Sequence, residues 1–180
     1  MKKLFFLVVL TGAFLQKNTA QTVKLGIKGG LNYANLVNSN IQTDAITSYH
    51  AGLLLEIGIT KSFAFQPEVL YSTQGASYDN AFGEFKNELG YVSIPMLAKI
   101  NLSESLSLEI GPQASFLLSK KDEFDLKDYN SFDFGVDGGL GLKLTKNLFI
   151  QARYILGLTE ISKNAEAKNS VFQLSAGILF

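Results

Sequence analysis

One feature constrains this chain more than any other: its apolar residues recur every second position, and nowhere is a helical spacing sustained. Residues 132–144 show it most clearly. Phe132, Phe134, Val136, Leu140, Leu142 and Leu144 fall on one parity, and Asp133, Gly135, Asp137, Gly139, Gly141 and Lys143 on the other. Successive side chains of a strand point to opposite faces, so this pattern specifies one greasy face and one polar or tiny face. It recurs at 23–33, 49–60, 63–74, 91–102, 105–117, 147–158 and 170–180. Each of these eight segments approaches the length that crosses a bilayer at a tilt, about 9–11 residues.

The connections alternate in length. Short turns are expected near Lys61-Ser62, Ser103-Glu104 and Thr145-Lys146, and longer polar loops at about 34–48, 75–90, 118–131 and 159–169. That rhythm belongs to an antiparallel up-and-down meander whose two ends meet different compartments. The expected fold is all-β, an eight-stranded antiparallel up-and-down transmembrane β-barrel.

A soluble ligand-binding barrel has the same period with the faces reversed, so the parity must be assigned. Glycine decides it. Gly26, Gly30, Gly52, Gly58, Gly111, Gly135, Gly139, Gly141, Gly157 and Gly177, ten of the 16 in the chain, share the polar parity. A water-facing surface has no reason to collect a residue that weakens strands. A crowded bore does, because long side chains fit there only beside small ones. The same parity carries Lys24, Lys28, Lys99, Lys143 and Arg153 with Glu56, Glu68, Glu109, Asp133 and Asp137. Five cations facing five anions form a self-neutralising set, which enclosed charges require. These ten residues are the expected interior ion network. The apolar parity, including Leu53, Leu55, Val92, Ile94, Met96, Leu108, Ile110, Ile150, Leu174 and Ile178, then faces lipid. Tyr33, Tyr49, Tyr71, Tyr91, Phe132 and Phe134 at the loop rim, with Phe63, Phe65 and Phe180 at the turn rim, would supply two aromatic girdles, which Tyr154 nearer mid-strand fits poorly.

Residues 1–20 read as an export signal: Lys2 and Lys3, the apolar run from Leu4 to Leu15, and a small-residue cleavage site at Thr19-Ala20. Their removal with Lys17 leaves 13 basic against 16 acidic side chains. The barrel domain is expected over 21–180. A chain without excess positive charge is poorly suited to nucleic acid. The absence of Cys and the presence of a single His exclude disulfide frameworks, thiolate sites and His-rich metal centres, so no cofactor or metal is expected.

Several short motifs, in order, resemble the porin-family outer-membrane β-barrel domain common in Bacteroidetes. They are Lys24-Leu25-Gly26-Ile27-Lys28-Gly29-Gly30-Leu31-Asn32, His50-Ala51-Gly52-Leu53, Phe65-Gln66-Pro67-Glu68-Val69-Leu70-Tyr71-Ser72 with Gly75, and Tyr91-Val92-Ser93-Ile94-Pro95-Met96-Leu97-Ala98-Lys99. The resemblance implies an eight-stranded barrel in the outer membrane, with outer-membrane lipid as its surroundings and no catalytic residues. The closing strand ending on Phe180 resembles the signal read by the barrel assembly machinery.

Four features outside this frame invite chemistry. His50, near Asp44, is a conceivable base for a surface hydrolase or acyltransferase, but nothing in its spacing specifies a nucleophile or an orienting partner. Pro67 and Pro95 sit inside expected strands and imply bulges or ladder defects. Lys120, Lys121, Asp122, Glu123, Asp125, Lys127 and Asp128 make a mixed-sign segment that fits no calcium-loop template and reads as a solvated tip. The glycine pairs Gly29-Gly30 and Gly138-Gly139 precede no helix and are not phosphate loops. The expected function is a structural or interaction role through the surface loops. The alternative is a narrow passive porin, and a surface enzyme ranks behind both.

Overall fold

A computed structural model describes residues 22–37, 44–80, 83–122, 130–162 and 165–180. The expected export segment 1–20 lies outside them, as do Glu123, Asp125, Lys127 and Asp128. Eight strands follow in order: β1 Thr22–Val37, β2 Asp44–Gly58, β3 Phe63–Asn80, β4 Gly83–Asn101, β5 Leu106–Asp122, β6 Phe132–Lys143, β7 Leu148–Ser162 and β8 Ala165–Leu179. Each pairs antiparallel with its neighbour, and β1 pairs with β8, closing the barrel. Closure leaves no unpaired edge in the apolar zone, the condition for a sheet to sit in hydrocarbon.

The stagger of the barrel can be read from its pairs. Stepping from Thr22 to Gly58, Ala64, Lys99, Glu109, Gly139, Arg153 and Gln173 returns to β1 at Asn32, ten residues beyond the start. A stagger of that size on eight strands tilts them by about 40° and leaves an interior just wide enough for side chains. The same path climbs the bore from the turn side toward the loops, through Lys99 and Glu109 to Arg153 and then Gln173, inward residues of four different strands.

The parity is as expected. Leu25, Ile27, Leu53, Leu55, Leu108, Ile110, Leu140, Leu142, Leu174 and Ile178 are exposed on the outer wall, whereas Lys28, Glu56, Glu68, Lys99, Glu109, Asp137 and Arg153 are buried. Outward Tyr49 and Tyr71 lie with ring centroids 6.2 Å apart, and Phe116 and Phe132 with theirs 5.4 Å apart, in the loop-side girdle. Tyr154 also points outward, paired across the ladder with Phe172.

Two expectations need correction. Tyr91 does not belong to a girdle: it is only 2% exposed and points into the bore with Ser93, Leu97 and Lys99, whose parity it shares. The segment 75–90 is not a long loop, because β3 and β4 stay paired out to Asn80 and Gly83, and likewise β7 and β8 out to Ser162 and Ala165. Outside hydrocarbon both faces of a hairpin tolerate polar residues, so such strands have the composition of loops. Gly75, at φ 148°, adopts a backbone that favours glycine where β3 leaves the apolar zone. The ladder defects expected at the prolines are present: the ladder is interrupted beside Pro67 and Pro95 and resumes in the same register, while the register shifts fall elsewhere, at Ala45/His50, Gly90/Tyr91 and Leu156/Glu160/Ser162.

Candidate functional site

The bore is layered. Leu54, Phe149 and Leu179 form an apolar cluster toward the turns, and Ala34, Ile46, Ile155 and Val171 form another toward the loops. Between them lies the charged layer, to which β1 through β7 each contribute.

Arg153, from β7, crosses the full bore to β3. Its Nη1 donates to Glu68 Oε2 at 3.0 Å and its Nη2 to Glu68 Oε1 at 2.9 Å, a two-pronged fork that matches guanidinium to carboxylate. Nη2 also donates to Glu109 Oε2 at 3.1 Å, and Nη1 lies 3.7 Å from Asp137 Oδ2. Lys28 Nζ sits 2.7 Å from Glu68 and donates to Gln151 Oε1 at 3.2 Å. Gln151 passes the link on, its Nε2 donating to both Glu109 oxygens at 2.9 and 3.0 Å. Lys99 Nζ donates to Glu56 Oε2 at 2.8 Å and to Gln66 Oε1 at 3.0 Å, and lies 3.5 Å from Glu109 Oε1. Lys143 Nζ ends the chain 3.7 Å from Glu56 Oε1.

Eight of the ten expected residues therefore join one continuous network: Lys28, Glu56, Glu68, Lys99, Glu109, Asp137, Lys143 and Arg153. The other two stand apart. Lys24 is half-buried at the turn end, directly across the β1–β2 ladder from Glu56. Asp133 lies toward the loops and accepts from Asn169 Nδ2 at 2.9 Å. Sequence reasoning missed Gln66 and Gln151, the neutral amides that bridge the charges. Their inward parity was a usable signal. Glycine makes the crowding possible: a Cβ on Gly141 would stand 2.7 Å from Glu109 Oε1.

Above this layer His50 is buried in an arrangement of its own. Its Nδ1 lies 2.7 Å from Asn32 Oδ1 and its Nε2 2.7 Å from Ser175 Oγ. Asn32 Nδ2 is directed at Thr73 O at 2.7 Å, Ser72 Oγ at 3.0 Å and Tyr49 O at 3.2 Å. The amide oxygen is thereby left for the imidazole, so Nδ1–H donates and Nε2 accepts from the serine. Gly30 pairs with His50 on one side and Ser175 on the other. A Cβ there would run into the Leu174 carbonyl, so only glycine permits this close approach of the strands. The order serine, histidine, asparagine is that of a nucleophile, its base and an orienting group. Ser175 and His50 are both buried within the bore, however, and the trio braces β1, β2 and β8 together. Among the described residues, no group of three or more His, Asp or Glu side chains is placed to hold a metal ion.

A closed eight-stranded barrel with an apolar outer wall and a charge-filled bore is the architecture of a small outer-membrane protein. The defining pattern of the outer membrane protein beta-barrel domain family matches residues 15–163, and the chain belongs to that family. Outer-membrane location follows from that membership. Among solved structures, it is similar to Ail, the attachment invasion locus protein of Yersinia pestis (12% identity, TM-score 0.56, covering 87% of this chain and 98% of that one). Neisserial surface protein A is similar to the same degree (12%, 0.56, 89% and 99%), and OprG from Pseudomonas aeruginosa slightly less so (10%, 0.53, 89% and 97%). At these identities the likeness concerns the fold. Comparison with curated protein sequences finds no match.

Proposed function

We propose that this chain is a non-conducting, non-enzymatic barrel of the outer membrane whose role is structural or interactive, exercised through its loop-side surface. The observation that carries this reading is the Arg153–Glu68 fork, which spans the bore from β7 to β3 and is flanked by Lys28 and Glu109. A belt of side chains joined across the full diameter leaves solutes no path at that level. A barrel of the same fold, Ail, carries the name attachment invasion locus protein and has been solved with the heparin analogue sucrose octasulfate, which makes an interaction role a natural use of the architecture. The Ser175–His50–Asn32 trio is read as a brace rather than as a catalytic unit, because both Ser175 and His50 lie inside the plugged bore. The closing strand β8 with the exposed Phe180 is the segment proposed to meet the barrel assembly machinery, after export through residues 1–20.

One observation favours a second reading, a narrow passive porin. Buried polar atoms of Gln113, Asp133, Asp137, Arg153, Asn169 and Gln173 have no hydrogen-bond partner in the structure, which suits a partly hydrated loop-side half. Planar-bilayer recording separates the two. The plugged barrel gives no steady single-channel steps, and Arg153→Ala combined with Glu68→Ala introduces them. Steady steps from the unaltered chain would replace the first reading with the second.

A further inference from the structure

The outer wall of the barrel is not uniform. On the stretch formed by β7, β8 and β1, three outward positions are Gly29, Ala152 and Ala176, with Gly29 and Ala176 directly paired across the β1–β8 ladder. Around them Leu31, Leu140, Leu142, Ile150 and Leu174 stand out from the surface. The result is an apolar furrow of about 560 Å³ on the face that meets hydrocarbon. It continues toward the turns as a second depression of about 410 Å³, which shares Gly29, Ile150 and Ala176 with the first and ends at Leu144 and Leu148. Those two residues frame the β6–β7 turn, where Leu144 and Thr145 backbone amides donate to Leu148 O at 2.9 and 3.2 Å. The turn itself carries the exposed Lys146.

We propose that this furrow is a binding site for one phospholipid of the leaflet on the turn side, with an acyl chain along Ala152, Ala176 and Gly29 and its phosphate at Lys146. The two depressions run on from one another through Gly29, Ile150 and Ala176 and are lined mostly by apolar side chains and glycine, a surface that suits an acyl chain. Each methylene seated against protein contributes through close packing that a bulkier wall would deny. The charge at the exit is what selects the headgroup. Lys146 lies in the turn between Leu144 and Leu148, where the furrow ends, and a cation at the membrane surface attracts an anionic headgroup. A second copy of the chain, the other possible occupant of a furrow in a membrane, would have to place its own wall against this basic rim.

The test is native mass spectrometry of the folded barrel, released from a neutral detergent containing equimolar palmitoyl-oleoyl phosphatidylglycerol and phosphatidylcholine. The expected spectrum shows one retained lipid per barrel, with phosphatidylglycerol preferred. Ala176→Phe fills the furrow and abolishes the adduct, whereas Ala98→Phe, on the opposite wall in β4, keeps it. Lys146→Glu lowers the preference for phosphatidylglycerol by at least about fivefold, the worth of one lysine near an anionic surface. Heat-modifiable migration in detergent gels checks folding of each variant, and Ala152→Leu replaces Ala176→Phe should the latter not fold. An adduct that survives both furrow substitutions overturns the proposal. So does a lipid count that rises without saturating at one, or a dimer of the chain that Ala176→Phe dissolves.

Discussion

On the turn side of Arg153 the bore is ionic and tightly paired; on the loop side it is mostly neutral, its carboxylate Asp133 is held by an amide rather than a cation, and several polar atoms have no partner. Glu56, Glu68 and Glu109 each meet a cation within 3.5 Å, and Gln66 and Gln151 each reach both a lysine and a carboxylate. Toward the loops the furnishing changes to His50, Asn32, Ser93, Ser115, Gln113 and Gln173, and the unpartnered buried atoms lie mostly there, with Arg153 Nε the exception inside the ionic layer. Asp137 marks the boundary: it lies 3.7 Å from Arg153, yet neither of its oxygens accepts a hydrogen bond in the structure. The difference teaches which half of the bore would carry the plug of the proposed reading. Enclosed charges persist only when paired, so the ionic half must be dry and rigid. Buried amides and hydroxyls without protein partners turn to water, so the loop-side half is the part that admits it.

The largest test of this division is Arg153→Ala. It strips Glu68 of its fork and leaves Glu109 and Asp137 without the guanidinium between them. Breaking a buried pair from one side costs about 3–5 kcal/mol, to be read from urea unfolding in liposomes. Arg153→Lys recovers only part of that loss, because an ammonium cannot reproduce the fork. Next in size is a test of the wall beside the ionic layer. Leu108→Arg, outward on β5, costs about 2–4 kcal/mol near mid-bilayer. Ser115→Thr, inward on the same strand, keeps the hydroxyl and adds one methyl to the bore, so its cost stays at the low end of overpacking, about 1 kcal/mol. Equal effects at the two sites would mean that the layers described as bore are in fact wall.

How much of this division could be read before the fold was known depends on which residues are considered. The eight strands and the inward parity of Lys28, Glu68 and Arg153 were legible, because side-chain alternation is a local property of each strand. Which charge meets which was not. Arg153 and Glu68 are 85 residues apart in the chain, and only the ten-residue stagger around the closed sheet brings them face to face. His50 and Ser175, 125 residues apart, meet for the same reason, with the bare Gly30 between them as the sole local hint. Tyr91 shows that parity outranks nearness to a rim: it lies at the rim, yet its inward parity puts it in the bore. The paired segment 75–90 is not legible as strand, because a hairpin in water loses the alternation that betrays it in lipid.

Within the loop-side half, His50→Ala removes two hydrogen bonds of 2.7 Å and leaves Asn32 Oδ1 and Ser175 without the imidazole. The expected loss is about 1–3 kcal/mol, below that of Arg153→Ala because no charge is uncovered. A change large enough to match the arginine variant would move the seal of the barrel upward, from the ionic layer to this brace.

The finest discrimination comes from making one substitution in both halves. Gln151→Leu and Gln173→Leu exchange the same amide for the same apolar side chain at neighbouring inward positions, Gln151 paired with Ser175 and Gln173 with Arg153 across the β7–β8 ladder. Gln151 accepts from Lys28 and donates to Glu109, so its loss removes hydrogen bonds to charged groups and costs about 1.5–3 kcal/mol. Gln173 has neither amide atom partnered, so its replacement shifts stability by less than about 1 kcal/mol. The sign of that small shift carries the information. A dry surrounding makes Gln173→Leu stabilising, since it removes a desolvated amide that nothing satisfies. A hydrated surrounding makes it slightly destabilising, since the amide already exchanges hydrogen bonds with water and an apolar side chain cannot. The division argued above requires the second outcome.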